Sequence, residues 1–123
     1  MRVLTKQDLI TAARKAYRDG TLTAQAPTEV ERTCIYADTT NGRYCAIGCA
    51  LTEDEIAVVL RDEKANTMRC DHHVFTDLNV VAFEDPNFAV DLQEAHDTWC
   101  FYAIDNSDTE TDEELAFREL IGL

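Results

Sequence analysis

Residues 34–49, with the sequence CIYADTTNGRYCAIGC, decide how this chain is expected to fold. Two runs of strand-forming residues, 34–37 and 43–47, flank a turn that contains Asn41 and Gly42. An Asn-Gly pair between such runs is the strongest short sequence signal for a β-hairpin. The sequence therefore predicts a hairpin here.

The turn is compatible with two hairpin registers. A two-residue loop pairs Cys34 with Cys49, and a four-residue loop pairs Tyr36 with Cys45. Because side chains alternate between the faces of a strand, Cys34, Tyr36, Cys45 and Ile47 share one face in both registers. We expect Cys34 and Cys45 to be in contact on the buried face of the hairpin, as reduced thiols.

Four helix starts surround the hairpin. Capping boxes are present at 5–8 and 52–55, Asp85 precedes Pro86, and 111–114 repeats the capping pattern. These residues satisfy the unpaired N–H groups of a first helical turn. Gly20 is expected to end the first of these helices. Since 123 residues suit one domain, we predict a single α+β domain, 1–123, with about four helices packed around one β-hairpin.

The charge of the chain is unevenly distributed. The net charge is −13, made up of +2 over residues 1–50 and −15 over residues 51–123. A surface this acidic repels phosphate backbones and attracts basic proteins. We therefore expect no direct binding of nucleic acid. The chain also has no run near the ~20 apolar residues of a membrane span, so we expect no membrane contact.

The five cysteines are expected to serve mainly as packing residues. The N-terminus has no export signal, so a cytoplasmic location and reduced thiols are expected, and an odd number of cysteines leaves one unpaired in any case. One alternative is a metal site made of Cys45, Cys49, Cys70 and His72, although the spacing of the second pair is unfavourable. The favoured interpretation has no metal and no cofactor.

A second alternative is a thiol-dependent enzyme that uses Cys34 or Cys45 with His96. His96 and Asp97 are consecutive, about 100° apart on a helix, so we do not expect Asp97 to orient the imidazole ring. The sequence also lacks the G-x-S-x-G and H-E-x-x-H motifs. We therefore predict that the protein is not an enzyme. We expect His96 to be a core residue, buried between the helix that contains it and the hairpin, with one ring nitrogen hydrogen-bonded.

Three short motifs are notable in the sequence: Cys34-Ile-Tyr36, Gly42-Arg-Tyr-Cys45-Ala-Ile-Gly48 and Leu92-Gln-Glu-Ala-His96-Asp97. Together they resemble the motifs of short phage and prophage proteins of unassigned function. The resemblance implies the product of a mobile element expressed in a bacterium, and it implies no activity. The matched residues are expected to form the core of the fold: Cys34, Tyr36, Cys45, Ile47, Gly48, Leu92, His96 and Trp99.

The function predicted from these features is binding to a basic surface of a host protein, in the cytoplasm of the host cell. An acidic protein can occupy a groove built for phosphates, and would then inhibit a nucleic-acid-handling or defence protein. The carboxylates expected to contact the partner lie in the C-terminal third: Asp91, Glu94, Asp105, Asp108, Glu110, Asp112, Glu113 and Glu114.

Overall fold

The computed structural model describes residues 2–26, 37–38, 42–61, 77–103 and 110–123, which form an α+β fold. Within these residues there are four α-helices, as expected, and four short β-strands. The helices are α1 (Lys6–Asp19), α2 (Glu53–Arg61), α3 (Pro86–Ala103) and α4 (Asp112–Leu120), and the strands are β1 (Arg2–Leu4), β2 (Ala37–Asp38), β3 (Arg43–Tyr44) and β4 (Val81–Phe83).

Helix α1 begins and ends where the sequence predicts. The Asp8 N–H donates to Thr5 Oγ1 at 3.0 Å, and the Thr5 N–H donates to Asp8 Oδ2 at 2.9 Å. Gly20 follows the helix with φ of 72°, in the left-handed region that favours glycine. Its N–H donates to the carbonyls of Ala16 and Tyr17. The capping box and the terminal glycine are confirmed.

The other three helices also begin at the expected residues. Before α2, the Thr52 N–H donates to Glu55 Oε1 at 2.8 Å, and the Glu55 N–H donates to Thr52 Oγ1 at 3.2 Å. Before α3, the Phe88 N–H donates to Asp85 Oδ1 at 3.1 Å. Thr111 caps α4 through its hydroxyl. Local capping chemistry was therefore sufficient to locate all four helix starts.

The strands differ from the expected arrangement. β1 pairs with β4 in parallel, with Arg2 opposite Val81 and Leu4 opposite Phe83. Three residues are too few to show the alternating pattern by which a strand is recognised in a sequence, so neither strand was predicted. The expected arrangement of about four helices around one β-hairpin therefore did not include this additional pair, which is parallel.

The predicted hairpin segment is paired over only two residues on each side. β2 runs antiparallel to β3 with Asp38 opposite Arg43, which is the register expected for a four-residue loop. After Tyr44 the chain turns, and the Cys49 N–H donates to the Cys45 carbonyl at 3.0 Å. Cys45 and Ile47 therefore do not lie on a strand, because this turn and the 3₁₀ turn Gly48–Ala50 replace it. Cys34 and Tyr36 lie outside the described residues.

Helix α3 is the centre of the fold. It packs against α4, α1 and the 3₁₀ turn Thr23–Gln25. The Trp99 ring lies 5.3 Å from the Phe117 ring of α4 and 6.0 Å from the Tyr17 ring of α1, between ring centroids. The buried residues of α3 are Phe88, Ala89, Leu92, Gln93, His96, Asp97, Trp99, Cys100 and Ala103. Much of the helix surface is thus enclosed. What remains is an outward stripe that includes the exposed residues Asp91, Glu94, Thr98, Phe101 and Tyr102.

The C-terminal end of α4 is held against α1. The Arg14 Nε donates to the Ile121 carbonyl, and the Arg118 guanidinium lies 5.6 Å from the centre of the Tyr17 ring. Ile121 is fully buried, and Gly122 follows it with φ of 75°. These contacts fix the position of α4, and with it the surface that α4 shares with α3.

None of the helices in the described part of the chain combines the length and the apolar character required to cross a bilayer.

Candidate functional site

A shallow groove of about 240 Å³ runs between α3 and α4. We call it the acidic groove, because three of its lining residues are carboxylates: Asp91, Glu94, Ala95, Thr98, Glu113 and Ala116 line it. Asp91 and Glu94 are exposed and lie one turn apart on α3, and Glu113 lies in the first turn of α4. Packing of α4 on α3 therefore brings together three of the acids that were predicted to contact a partner.

Within the described residues, the three carboxylates of the acidic groove, Asp91, Glu94 and Glu113, form no ion pair. Like charges in one groove repel each other, and a cation placed between them relieves that repulsion. The groove is therefore suited to a positively charged group from outside the chain.

Of the other five acids predicted to contact a partner, two are bonded within the chain, one is exposed, and two lie outside the described residues. The Glu110 carboxylate pairs with Arg118 at 2.7 Å, and Glu114 Oε2 accepts a hydrogen bond from the Tyr17 hydroxyl at 2.9 Å. Asp112 is exposed at the start of α4. Asp105 and Asp108 lie outside the described residues. Glu110 and Glu114 thus already have partners within the chain and are less available to another protein.

Tyr17 shows how closely α4 is attached to α1. Burial, together with the hydrogen bond to Glu114, raises the pKa of the Tyr17 hydroxyl above its ordinary value of 10.0. A phenolate next to this carboxylate would be repelled, so the hydroxyl keeps its proton and remains a donor. Glu114 therefore helps to hold α4 against α1. The sequence had not indicated this structural role.

Several residues of the predicted core lie beside a buried polar network. The Ile47 N–H donates to Gln93 Oε1 at 3.2 Å, and Gln93 Nε2 donates to Asp97 Oδ1 at 2.8 Å. The Cys45 thiol accepts a hydrogen bond from the Gly48 N–H at 3.1 Å. Leu92 and Trp99 are buried beside these groups. The loop after β3 is thus joined to α3 through polar side chains as well as apolar contacts.

His96 is fully buried, as predicted, and both of its ring nitrogens have partners. Nε2 accepts a hydrogen bond from the Ala24 N–H at 3.4 Å, and Nδ1 lies 3.3 Å from Asp97 Oδ1. Since Nε2 is an acceptor, Nδ1 carries the proton and donates to Asp97. The expectation that Asp97 cannot orient the ring of its neighbour is wrong. The ring contacts the Thr23–Gln25 turn through Ala24, whereas a contact with the hairpin was expected.

The thiols of this region are poorly suited to chemistry. Burial, and to a lesser extent the neighbouring Cys45, raises the pKa of the Cys49 thiol. The Cys49 thiol donates to the Ala46 carbonyl, and Cys45 is fully buried. Because the thiolate is both the nucleophile and the metal ligand, this environment disfavours each role.

Two of the four residues of the alternative metal site lie in the described part of the chain. Cys45 and Cys49 are described, whereas Cys70 and His72 lie outside the described residues. Among the residues that the structure describes, no three His, Cys, Asp or Glu side chains form a group that could hold a metal ion.

A second depression, of about 340 Å³, lies between β1 and α1. Its cations are already paired: Arg2 with Glu55 at 2.5 Å, and Lys15 with Asp19 at 2.6 Å. These pairs leave less unbalanced charge here than in the acidic groove, so the groove is the stronger candidate.

Sequence reasoning missed the buried network formed by Gln93 and Asp97, and it missed two exposed aromatic residues at the end of α3. Gln93 and Asp97 belong to the buried network, and their i, i+4 spacing on a helix was a usable signal. Phe101 and Tyr102 are 40% and 45% exposed next to the end of α3. Their exposure had no signal in the sequence, because apolar residues at a helix end are more commonly buried.

Comparison of the chain with protein-family models, with curated proteins and with solved structures finds no match.

Proposed function

We propose that this protein binds a basic surface of a host protein through the acidic groove. The observation that carries the proposal is the convergence of Asp91, Glu94 and Glu113 in one groove, without an ion pair among the described residues. The net charge of −13 adds a long-range attraction to a basic partner.

The partner class follows from the same charges. A basic surface that normally holds a phosphate backbone is complementary to a row of carboxylates. We therefore propose that the partner is a nucleic-acid-handling or defence protein of a bacterial host, and that the bound protein inhibits it. The resemblance to phage and prophage proteins supports a mobile element as the source, and the cytoplasm of the host cell as the location.

The alternative function, a thiol-dependent enzyme, has one observation in its favour. The contact between His96 and Asp97 orients the imidazole ring, as a catalytic histidine requires. However, Cys45 and His96 are both fully buried, and the pKa of the Cys49 thiol is raised by burial. Binding through the acidic groove is therefore the better-supported function.

Capture of the partner from a bacterial lysate tests the proposal. The bait is the full chain, as wild type and as a variant with Asp91→Asn, Glu94→Gln and Glu113→Gln. A control variant with Glu53→Gln, Asp54→Asn and Glu119→Gln removes the same charge from exposed positions outside the groove.

We expect the groove variant to lose the captured protein and the control variant to retain it. Binding should also weaken at high salt, because exposed charges are screened beyond ~8 Å at physiological ionic strength. Equal capture by the wild type and the groove variant at both low and high salt would refute the proposed function.

A further inference from the structure

We infer that the acidic groove and the adjacent aromatic residues together form the docking site for one basic amphipathic α-helix of the partner. This inference rests on the proposed function and specifies which part of the partner is bound. Its evidence is the outward stripe of α3, which changes from acidic to aromatic along its length.

The stripe has the dimensions of a short helix. The exposed residues Asp91, Glu94, Thr98, Phe101 and Tyr102 lie at i, i+3, i+7, i+10 and i+11 of α3. Residues at such spacings occupy one side of a helix, and eleven steps of 1.5 Å give a length of about 16 Å. A partner helix of about three turns, with a pitch of 5.4 Å, would match that length.

Phe101 and Tyr102 form the aromatic end of the stripe. Their ring centroids are 5.3 Å apart in an edge-to-face arrangement, and the side chains are 40% and 45% exposed. Large aromatic side chains contribute strongly to protein interfaces, because they bury much area for little conformational entropy. An apolar partner residue is therefore expected at this end, and basic residues at the acidic end.

A helix fits this surface better than an extended strand does. The main-chain groups in the interior of α3 and α4 are bonded within the helices, so they offer no edge for strand addition. Only side chains are therefore available in the groove to contact a partner. An amphipathic helix is the usual occupant of such a groove.

The negative charge of this surface disfavours three other occupants: nucleic acid, anionic lipid and a second copy of the chain. Carboxylates at Asp91, Glu94 and Glu113 repel nucleic acid and anionic lipid. A second copy of the chain also carries −13. In α1 of such a copy, Lys15 is paired with Asp19 and Arg14 with the Ile121 carbonyl. A basic helix of another protein is therefore the occupant that the surface fits.

The test uses the isotopically labelled full chain and two synthetic helical peptides of about twelve residues. The first peptide places lysines opposite the groove carboxylates and leucines opposite Phe101 and Tyr102. The second has serine in place of leucine and the same charge. Affinities are measured by NMR titration for the wild type and for variants at the aromatic end.

We expect the leucine peptide to perturb the signals of α3 and α4, and to bind at least about tenfold more tightly than the serine peptide. The variant Phe101→Ser with Tyr102→Ser should lose this difference. Phe101→Tyr with Tyr102→Phe should keep it, and so should Val58→Ser, a control on α2 that is also 40% exposed. Thermal unfolding checks that each variant is folded.

The outcomes separate this inference from the proposed function. Equal affinity for the two peptides, or no binding at ~1 mM peptide, would overturn the helix-docking inference. If the variant with Asp91, Glu94 and Glu113 replaced still fails to capture the lysate partner, the proposed function stands without the helix-docking inference. If that variant captures the partner as the wild type does, the proposed function itself fails.

Discussion

The Nδ1 atom of His96 lies 3.3 Å from Oδ1 of Asp97, although the two residues are consecutive in α3. Asp97 Oδ1 also accepts a hydrogen bond from Gln93 Nε2 at 2.8 Å. One carboxylate oxygen thus joins two side chains, which in turn contact the loop at Ile47 and the turn at Ala24. This network connects α3 to two segments that are distant in the sequence.

Asp97→Ala should destabilise the protein by about 2–4 kcal/mol, because two buried donors lose their acceptor. Urea denaturation monitored by tryptophan fluorescence measures the change. Asp91→Ala is the matched control on the outward stripe of α3, and it should change the free energy of unfolding by no more than about 0.5 kcal/mol. Similar effects of the two substitutions would contradict the structural role of Asp97.

His96→Ala should cost about 3 kcal/mol, since it leaves a cavity beside Trp99 and Phe117 and an unpaired N–H at Ala24. Thermal unfolding measures this loss. At a temperature where the variant is folded, capture of the lysate partner should match that of the wild type. A variant of full stability that loses function would favour the enzyme alternative.

Gly122→Ala should destabilise the protein more than Gly20→Ala does. Both glycines have positive φ, but a Cβ on Gly122 would lie 2.5 Å from Arg14 Nη2, whereas Gly20 has open space around it. We expect about 1 kcal/mol for Gly20→Ala, and about 1 kcal/mol more for Gly122→Ala if Arg14 releases the Ile121 carbonyl. Chemical denaturation of the two variants measures the difference, and equal losses would contradict the predicted clash.

Stability should depend on pH through Glu55. The hydrogen bond from Arg2 holds the pKa of the Glu55 carboxyl below its ordinary value of 4.5. The contribution is therefore complete above pH 4.5 and is lost as the pH falls through the lower folded value.

Between about pH 6 and about pH 3 the wild type should lose up to about 1 kcal/mol more stability than Glu55→Gln, a small value because Arg2 is exposed. Urea titrations at both pH values measure this, with Glu53→Gln as the control. If Glu55→Gln loses as much stability as the wild type, the Arg2–Glu55 pair contributes nothing to folding.

The Cys49 thiol should react slowly in the folded protein, because burial raises its pKa. Alkylation with iodoacetamide, followed by mass spectrometry of the peptide that contains Cys45 and Cys49, should be at least about tenfold slower than in urea. Comparable rates in the two conditions would show that this region opens readily.

The helices were predictable because their signals are local. The capping pairs Thr5–Asp8 and Thr52–Glu55 each lie within four residues, so the sequence contains the whole interaction. The parallel pairing of β1 with β4 joins residues almost 80 positions apart, with Arg2 opposite Val81. No local pattern indicates such a pairing, since it depends on how the helices between the strands pack.

The candidate site was likewise predictable from the sequence only in part. The abundance of acids after residue 84 and their net charge were evident from the composition. However, the sequence could not show that Glu113 faces Asp91 and Glu94, while Glu114 bonds to Tyr17 and Glu110 to Arg118. Neighbouring residues on α4 point in different directions, so only the packed orientation of the helix separates their roles.

By itself, the sequence determined where the helices start, that His96 belongs to the core, and that the C-terminal part of the chain is acidic. These properties depend on neighbouring residues or on composition. Only the tertiary structure decided that β1 pairs with β4, that His96 and Asp97 bond within a network, and that three carboxylates share one groove. Each of these depends on the position at which one element packs against another, and that position is set by many weak contacts at once.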